Sequence, residues 1–258
     1  MVLAQAVLLT ACVGTDNLVS DEPLLGPDAR AGAADARTSD ARIDPNCVPG
    51  ATECTNCIDD DDDGLADGAD PQCTGPADRD EGSFANAVPG DNRDVEFQDC
   101  FFDGDSGPGN DGCLVHTCCM LDTCPAEIAG SYVPSECVTT KMCENFCSPR
   151  MPPGCDCFGC CTVCDGAGCV DIYTHDLVAP NCDQDSIRDP ARCPTCTPFP
   201  GCGHACSAPC VLCPGQTPAD LPSQCGGVAQ CPDSGATCTD SSQCTGADVC
   251  YNGCCLEL

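Results

Sequence analysis

Thirty-three of the 258 residues are cysteine, about one in eight, and no other feature of the sequence limits the fold as strongly. A density above about 8–10% in an exported chain is the mark of a disulfide scaffold. Without its cysteines the chain drops from 42% apolar to roughly 29%, below the share found in ordinary globular proteins. Tryptophan is absent and aromatics make up 4%, so the side chains that dominate a hydrophobic interior are scarce. A chain of this kind cannot bury a core of normal size for its length and needs covalent or metal cross-links. The expected fold class is small disulfide-rich, loop-dominated modules with short β-strands and little regular secondary structure. Most enzyme folds need a large apolar interior and are excluded on that ground, so a non-enzymatic protein is expected.

Parity supports pairing of the cysteines. Setting Cys12 aside leaves 32, which fall into even groups: Cys47, Cys54, Cys57 and Cys73, then 22 from Cys100 to Cys225, then six from Cys231 to Cys255. The pairing pattern stays open, since six cysteines alone allow 15 connectivities. Disulfides persist in oxidising compartments, so the count points to export. The alternative is a reduced metal-thiolate protein that sequesters zinc or a similar ion. Charge narrows the partners. With Asp+Glu 41 against Lys+Arg 9 the net charge is −32, which repels phosphate backbones and excludes nucleic acid.

The most specific chemistry lies between Cys57 and Cys73. From Asp59 the chain reads Asp-Asp-Asp-Asp-Asp-Gly-Leu-Ala-Asp-Gly-Ala-Asp, ending at Asp70. Numbered from Asp59, carboxylates stand at positions 1, 3, 5, 9 and 12, with Gly64 at 6. That spacing suits Ca²⁺, a hard cation that takes six to eight oxygens from a tightly curled loop. Asp59, Asp61, Asp63, Asp67 and Asp70 are the expected side-chain ligands, with the Leu65 carbonyl as position 7. Asp60 and Asp62 are expected to point outward. Position 12 is Asp where helix-loop-helix calcium sites have Glu, and the flanks carry Cys and Pro. Residues 54–73 therefore resemble a thrombospondin type 3 repeat, in which Asp-rich calcium turns are clipped by disulfides. Asp103–Asp111 lacks the carboxylate at position 5 and reads as a glycine-rich turn and a weak second candidate.

At the N-terminus, apolar and small residues run into Leu9-Thr10-Ala11-Cys12. This resembles a bacterial lipobox, which implies that residues 1–11 are a signal peptide and that Cys12 is lipidated. No Lys or Arg precedes the apolar run, which fits a start codon further upstream. Val13 follows the Cys, and the resemblance then implies outer-membrane sorting. Residues 12–46 hold no further cysteine before Cys47, repeat Asp-Ala-Arg at 28–30, 35–37 and 40–42, and read as a disordered tether.

Beyond the calcium loop, taken as 47–73, residues 74–99 read as a polar linker and 100–225 as a cysteine-rich body with a candidate split at 149–154. Glu136–Phe146 suits one short helix with Ser135 as N-cap, and Val170–Thr174 alternates as a strand does. Five CxxC pairs occur, at 54/57, 157/160, 161/164, 193/196 and 210/213. Paired knuckles suit structural zinc, and Cys161–Gly168 resembles one repeat of the DnaJ zinc domain. In an oxidising compartment they are disulfides instead. His175-Asp176 with Ser186 has no nucleophile elbow or oxyanion motif to make it a triad. His116 and His204 read as turn-filling residues. Residues 226–258 form a six-cysteine module that resembles colipase-like, Dickkopf-like and toxin-like minidomains, which bind proteins or channels.

As a whole the chain resembles the Cys- and Asp-rich surface lipoproteins of predatory and soil delta-proteobacteria. The resemblance implies a lipid-anchored protein at the outer membrane or cell surface. The expected partners are the membrane, through the lipid, and a protein or glycan surface ligand.

Overall fold

The structure is a computed structural model describing residues 49–76, 78–85, 95–101, 112–232, 235–238, 241–246, 248–251 and 253–256. All belong to one compact unit, Thr38–Leu258. The lipobox with Cys12, the tether, Cys47 and the Asp103–Asp111 turn lie outside the described residues.

Regular structure is sparse and short. Three antiparallel strand pairs are present among the described residues: β1 (Phe97–Gln98) with β2 (Val115–His116), β3 (Cys160–Asp165) with β4 (Gly168–Tyr173), and β5 (Val249–Tyr251) with β6 (Cys254–Leu256). The longest pair runs from Cys160↔Tyr173 to Asp165↔Gly168. Its strands form because Thr162, Val163, Val170 and Ile172 suit extended backbone. They end because Gly166-Ala167 can turn tightly and Gly168 adopts φ 125°, where a side chain is strained. Arg188 clamps the turn, donating to Asp165 Oδ2 at 3.0 Å and Oδ1 at 2.7 Å.

The helix α1 covers Lys141–Cys147, later than the sequence suggests. Ser135 sits instead inside a 3₁₀ turn, Pro134–Glu136. The N-cap is Thr140, whose Oγ1 accepts the Cys143 N–H at 3.1 Å. A spacing of four residues puts Cys143 and Cys147 on one buried face, where they bridge to Cys113 and Cys100.

Every described cysteine is disulfide-bonded. Cys100–Cys147, Cys113–Cys143, Cys118–Cys124 and Cys119–Cys137 close within 100–147. Cys155–Cys161, Cys157–Cys202, Cys160–Cys196, Cys164–Cys169, Cys182–Cys193, Cys206–Cys213 and Cys210–Cys225 close within 155–225. Cys231–Cys254, Cys238–Cys250 and Cys244–Cys255 close within the last module. No CxxC pair closes on itself; each of these cysteines bonds elsewhere in the chain.

The cystines replace the missing hydrophobic interior. Phe84, Phe101, Met120, Phe158, Ile172 and Tyr173 are buried among them in one cluster that spans both cysteine blocks of the body. Sulfur is apolar and polarisable enough to serve as packing material as well as a cross-link. Residues 74–85 are less linker-like than their polarity suggests: Asp78, Glu81, Ser83, Phe84 and Ala85 are buried. A second cluster joins the two ends of the described chain, with Cys54 and Cys73 packed against Tyr251 and Leu256. The C-terminal module is therefore closed in its bridges and docked in its packing.

Candidate metal centre

Two cross-links set the acidic loop. Cys54–Cys73 closes it, and Cys57 is held by a further disulfide whose partner lies outside the described residues. Between them the backbone curls tightly. Cys57, Asp62 and Asp67 have φ of 67°, 63° and 52°, the positive values among described non-glycine residues. Gly64 has φ 97°, and nothing lies within 4 Å of where its Cβ would be, so backbone conformation and not space requires glycine there.

The curl brings alternate side chains inward. One carboxylate oxygen from each of Asp59, Asp61 and Asp63 lies within 4.8 Å of the other two. The loop's own amides hold them in place. Asp63 N–H donates to Asp59 Oδ1 at 3.1 Å and Asp61 Oδ1 at 3.0 Å, Gly64 N–H to Asp59 Oδ2 at 2.9 Å, and Leu65 N–H to Asp63 Oδ1 at 2.8 Å. Asp60 is turned to another task, accepting the Asn56 side-chain amide at 2.7 Å. Burial, then the neighbouring charges of Asp63 and Asp59, raises the Asp61 carboxyl above the ordinary range.

Asp70, at the end of the loop, is fully buried and is not part of this triangle. Its Oδ1 accepts the Gln72 N–H at 2.6 Å, while its Oδ2 is buried with no hydrogen-bond partner. Burial pushes its carboxyl up to about 8, and the charges of Asp63, Glu81 and Asp61 push the same way. A buried carboxylate oxygen without a hydrogen-bond partner is costly while the group is charged. Asp67 is occupied differently: both its oxygens accept the Cys57 N–H, at 3.0 and 3.1 Å, tying the end of the loop to its start. Burial raises its carboxyl as well.

Glu81 is the group that loop spacing does not reveal. It is buried, and its carboxylate accepts the Asp60 N–H at 2.6 Å and the Asp67 N–H at 2.5 Å, bracketing the loop from outside. Burial raises it to about 7. Asp78, also buried and raised to about 7 by burial, fixes the same segment through Thr74, whose N–H and Oγ1 donate to it at 3.0 and 2.8 Å.

The histidines and Ser186 make local backbone contacts. His116 Nδ1 accepts the Cys118 N–H at 3.1 Å, and His204 Nε2 lies 2.8 Å from the Ser148 carbonyl. Ser186 Oγ accepts the Asp183 N–H at 3.1 Å, a turn contact, and His175 Nδ1 accepts the Leu177 N–H at 3.1 Å.

Fold and site together define a cysteine-rich, disulfide-stabilised module of the kind that matures in an oxidising, extracytoplasmic environment. No helix among the described residues is long and apolar enough to cross a membrane. No protein family, curated protein or solved structure matches the chain.

Proposed function

We propose that this chain is a non-enzymatic surface lipoprotein. Its ectodomain, held by disulfides and by Ca²⁺ in the 59–70 loop, serves as a binding module for a protein or glycan at another surface. The observation that carries the calcium reading is the convergence of Asp59, Asp61 and Asp63, in a loop that also holds the buried, unpartnered Oδ2 of Asp70. These are hard oxygen donors, which suit calcium over softer metals. The Leu65 carbonyl belongs to the expected donor set, and Asp67, whose oxygens hold the Cys57 N–H, would have to give up that contact to join it. Extracellular calcium modules bind with Kd of about 10⁻⁴–10⁻³ M, and a loop clipped by cystines loses little further freedom on binding.

A position-specific series tests this reading. In calorimetry on the oxidised full chain, Asp61→Ala or Asp63→Ala should weaken calcium binding at least about tenfold, ~1.4 kcal/mol. Asp60→Ala and Asp62→Ala should stay within about threefold. Equal losses at odd and even positions would reduce the loop to a diffuse acidic run gathering counterions.

Anchoring rests on Leu9-Thr10-Ala11-Cys12. Several acyl chains, at ~0.8 kcal/mol per buried CH₂, hold a protein stably at a membrane. Cys12→Ser should release the protein to the soluble fraction with its calcium binding intact. A wild-type protein that takes up no labelled fatty acid would remove the anchor from the account.

One observation favours a second reading, the metal-thiolate protein. The sulfurs of Cys113, Cys143 and Cys147 lie within 4.8 Å of one another, as do those of Cys238, Cys244 and Cys255. Reduced, either group would offer thiolates to zinc. Oxidised, each sulfur is committed to a bridge.

A further inference from the structure

Among the described residues, the C-terminal module meets the acidic loop at β5. Tyr251, 1% exposed, packs against the Cys54–Cys73 bridge, and its hydroxyl donates to the Cys54 carbonyl. The backbone of β5 lies directly on the loop's last turn: a Cβ built at Gly68 would stand 2.1 Å from the Cys250 carbonyl oxygen. Burial first, then the charges of Asp78, Asp67, Glu81 and Asp70, hold the Tyr251 phenol well above its ordinary range. Gly68 lies in the 3₁₀ turn Asp67–Ala69 with Asp70 as its C-cap, so the ledge that β5 touches is the turn that carries two of the loop's acids. Asp70, which caps that turn, keeps a buried Oδ2 with no hydrogen-bond partner.

We propose that cation binding in the loop governs the docking of the C-terminal module: the loaded loop presents the Cys54–Cys73 seat and Gly68 ledge that Tyr251 and β5 occupy, and the unloaded loop releases them. This coupling rests on the calcium reading above. The module's three bridges close within residues 231–255, so undocking leaves it folded and free to face a partner. Coupling between two such events is reciprocal, so whatever calcium does for docking, docking must do for calcium.

Gly68→Ala isolates the dock. Gly68 does not have a positive φ, so alanine fits the loop's own backbone and collides only with β5. The experiment uses the oxidised full chain, calcium chloride alone as ligand, and two readouts: calorimetry, and nitration of Tyr251 located by mass spectrometry. In the wild type, saturating calcium should slow Tyr251 nitration about tenfold relative to chelated protein. Gly68→Ala should abolish that calcium dependence and weaken calcium binding by about the same factor. Tyr251→Phe, which removes only the hydroxyl bond, serves if Gly68→Ala fails to fold and should weaken calcium binding in the same direction by a smaller factor. Saturable calcium binding with unchanged Tyr251 nitration, or with wild-type affinity in both variants, overturns the coupling and leaves the calcium reading standing. Absence of saturable binding in the wild type overturns both.

Discussion

Replacing Asp156 with Ala is expected to destabilise the oxidised protein by about 3–5 kcal/mol, more than any other single non-cysteine substitution. Its side chain is buried at the centre of the body. Oδ1 accepts the Phe158 and Cys160 N–H groups at 2.8 and 2.9 Å, and Oδ2 accepts the Phe199 N–H at 2.7 Å. One carboxylate thus ties the start of β3 to the 199 turn, and its loss orphans three buried amides. Thermal unfolding under non-reducing conditions reads the effect directly. Burial also pushes the Asp156 carboxyl up to about 6, above its ordinary 3.8, against the pull of its backbone donors. A folded value above the unfolded one means that the protonated group favours the native state. That contribution is full below about pH 4 and is lost as pH rises through about 6. Asp156→Asn should remove this slope from the stability profile between those values. A variant whose profile parallels the wild type would show that Asp156 does not titrate there.

The paired substitution Cys160→Ala with Cys196→Ala should cost about 2–5 kcal/mol. The bridge spans 36 residues and lies wholly in the core. It holds β3 to the segment that bridges both β4, through Ile172↔Thr195, and Leu121, through Leu121↔Cys196. Cys164–Cys169 spans only 5 residues across a hairpin already paired in register. Loop-closure entropy grows with the logarithm of loop length, so removing the short bridge should cost about 1–2 kcal/mol less. Equal costs would mean that strain or residual unfolded-state structure, not chain entropy, sets the value of these bridges. Denaturant titration of both variants at constant redox conditions makes the comparison.

The fold class was legible because it follows from what the chain lacks. With few aromatics and 33 cysteines, only a cross-linked, loop-rich architecture can compensate the entropy of ordering. The triangle of Asp59, Asp61 and Asp63 was legible because alternation is a local pattern, set by a curl of a few residues. Helix α1 was displaced because Ser135 and Thr140 are equally good caps in isolation, and Pro134 draws Ser135 into a 3₁₀ turn. Glu81 and Tyr251 were not legible at all. Glu81 reaches the loop from a segment with no periodicity, and Tyr251 reaches Cys54 from 197 residues away. Such contacts are decided by tertiary packing and leave no local trace. The Asp67 carboxylate illustrates the same limit: spacing marks it as a ligand, while packing gives it the Cys57 amide to hold.

The measurement that bears most directly on the account is a thiol count on the protein isolated from the compartment where it matures. Alkylation under denaturing, non-reducing conditions should leave every cysteine from Cys54 to Cys255 unmodified, and reduction before alkylation should label all of them. Peptide mapping should recover the bridges named above, Cys54–Cys73 and Cys160–Cys196 among them. Free thiols at Cys113, Cys143 and Cys147 or at Cys238, Cys244 and Cys255, accompanied by bound zinc, would contradict the disulfide scaffold and establish the metal-thiolate protein in its place.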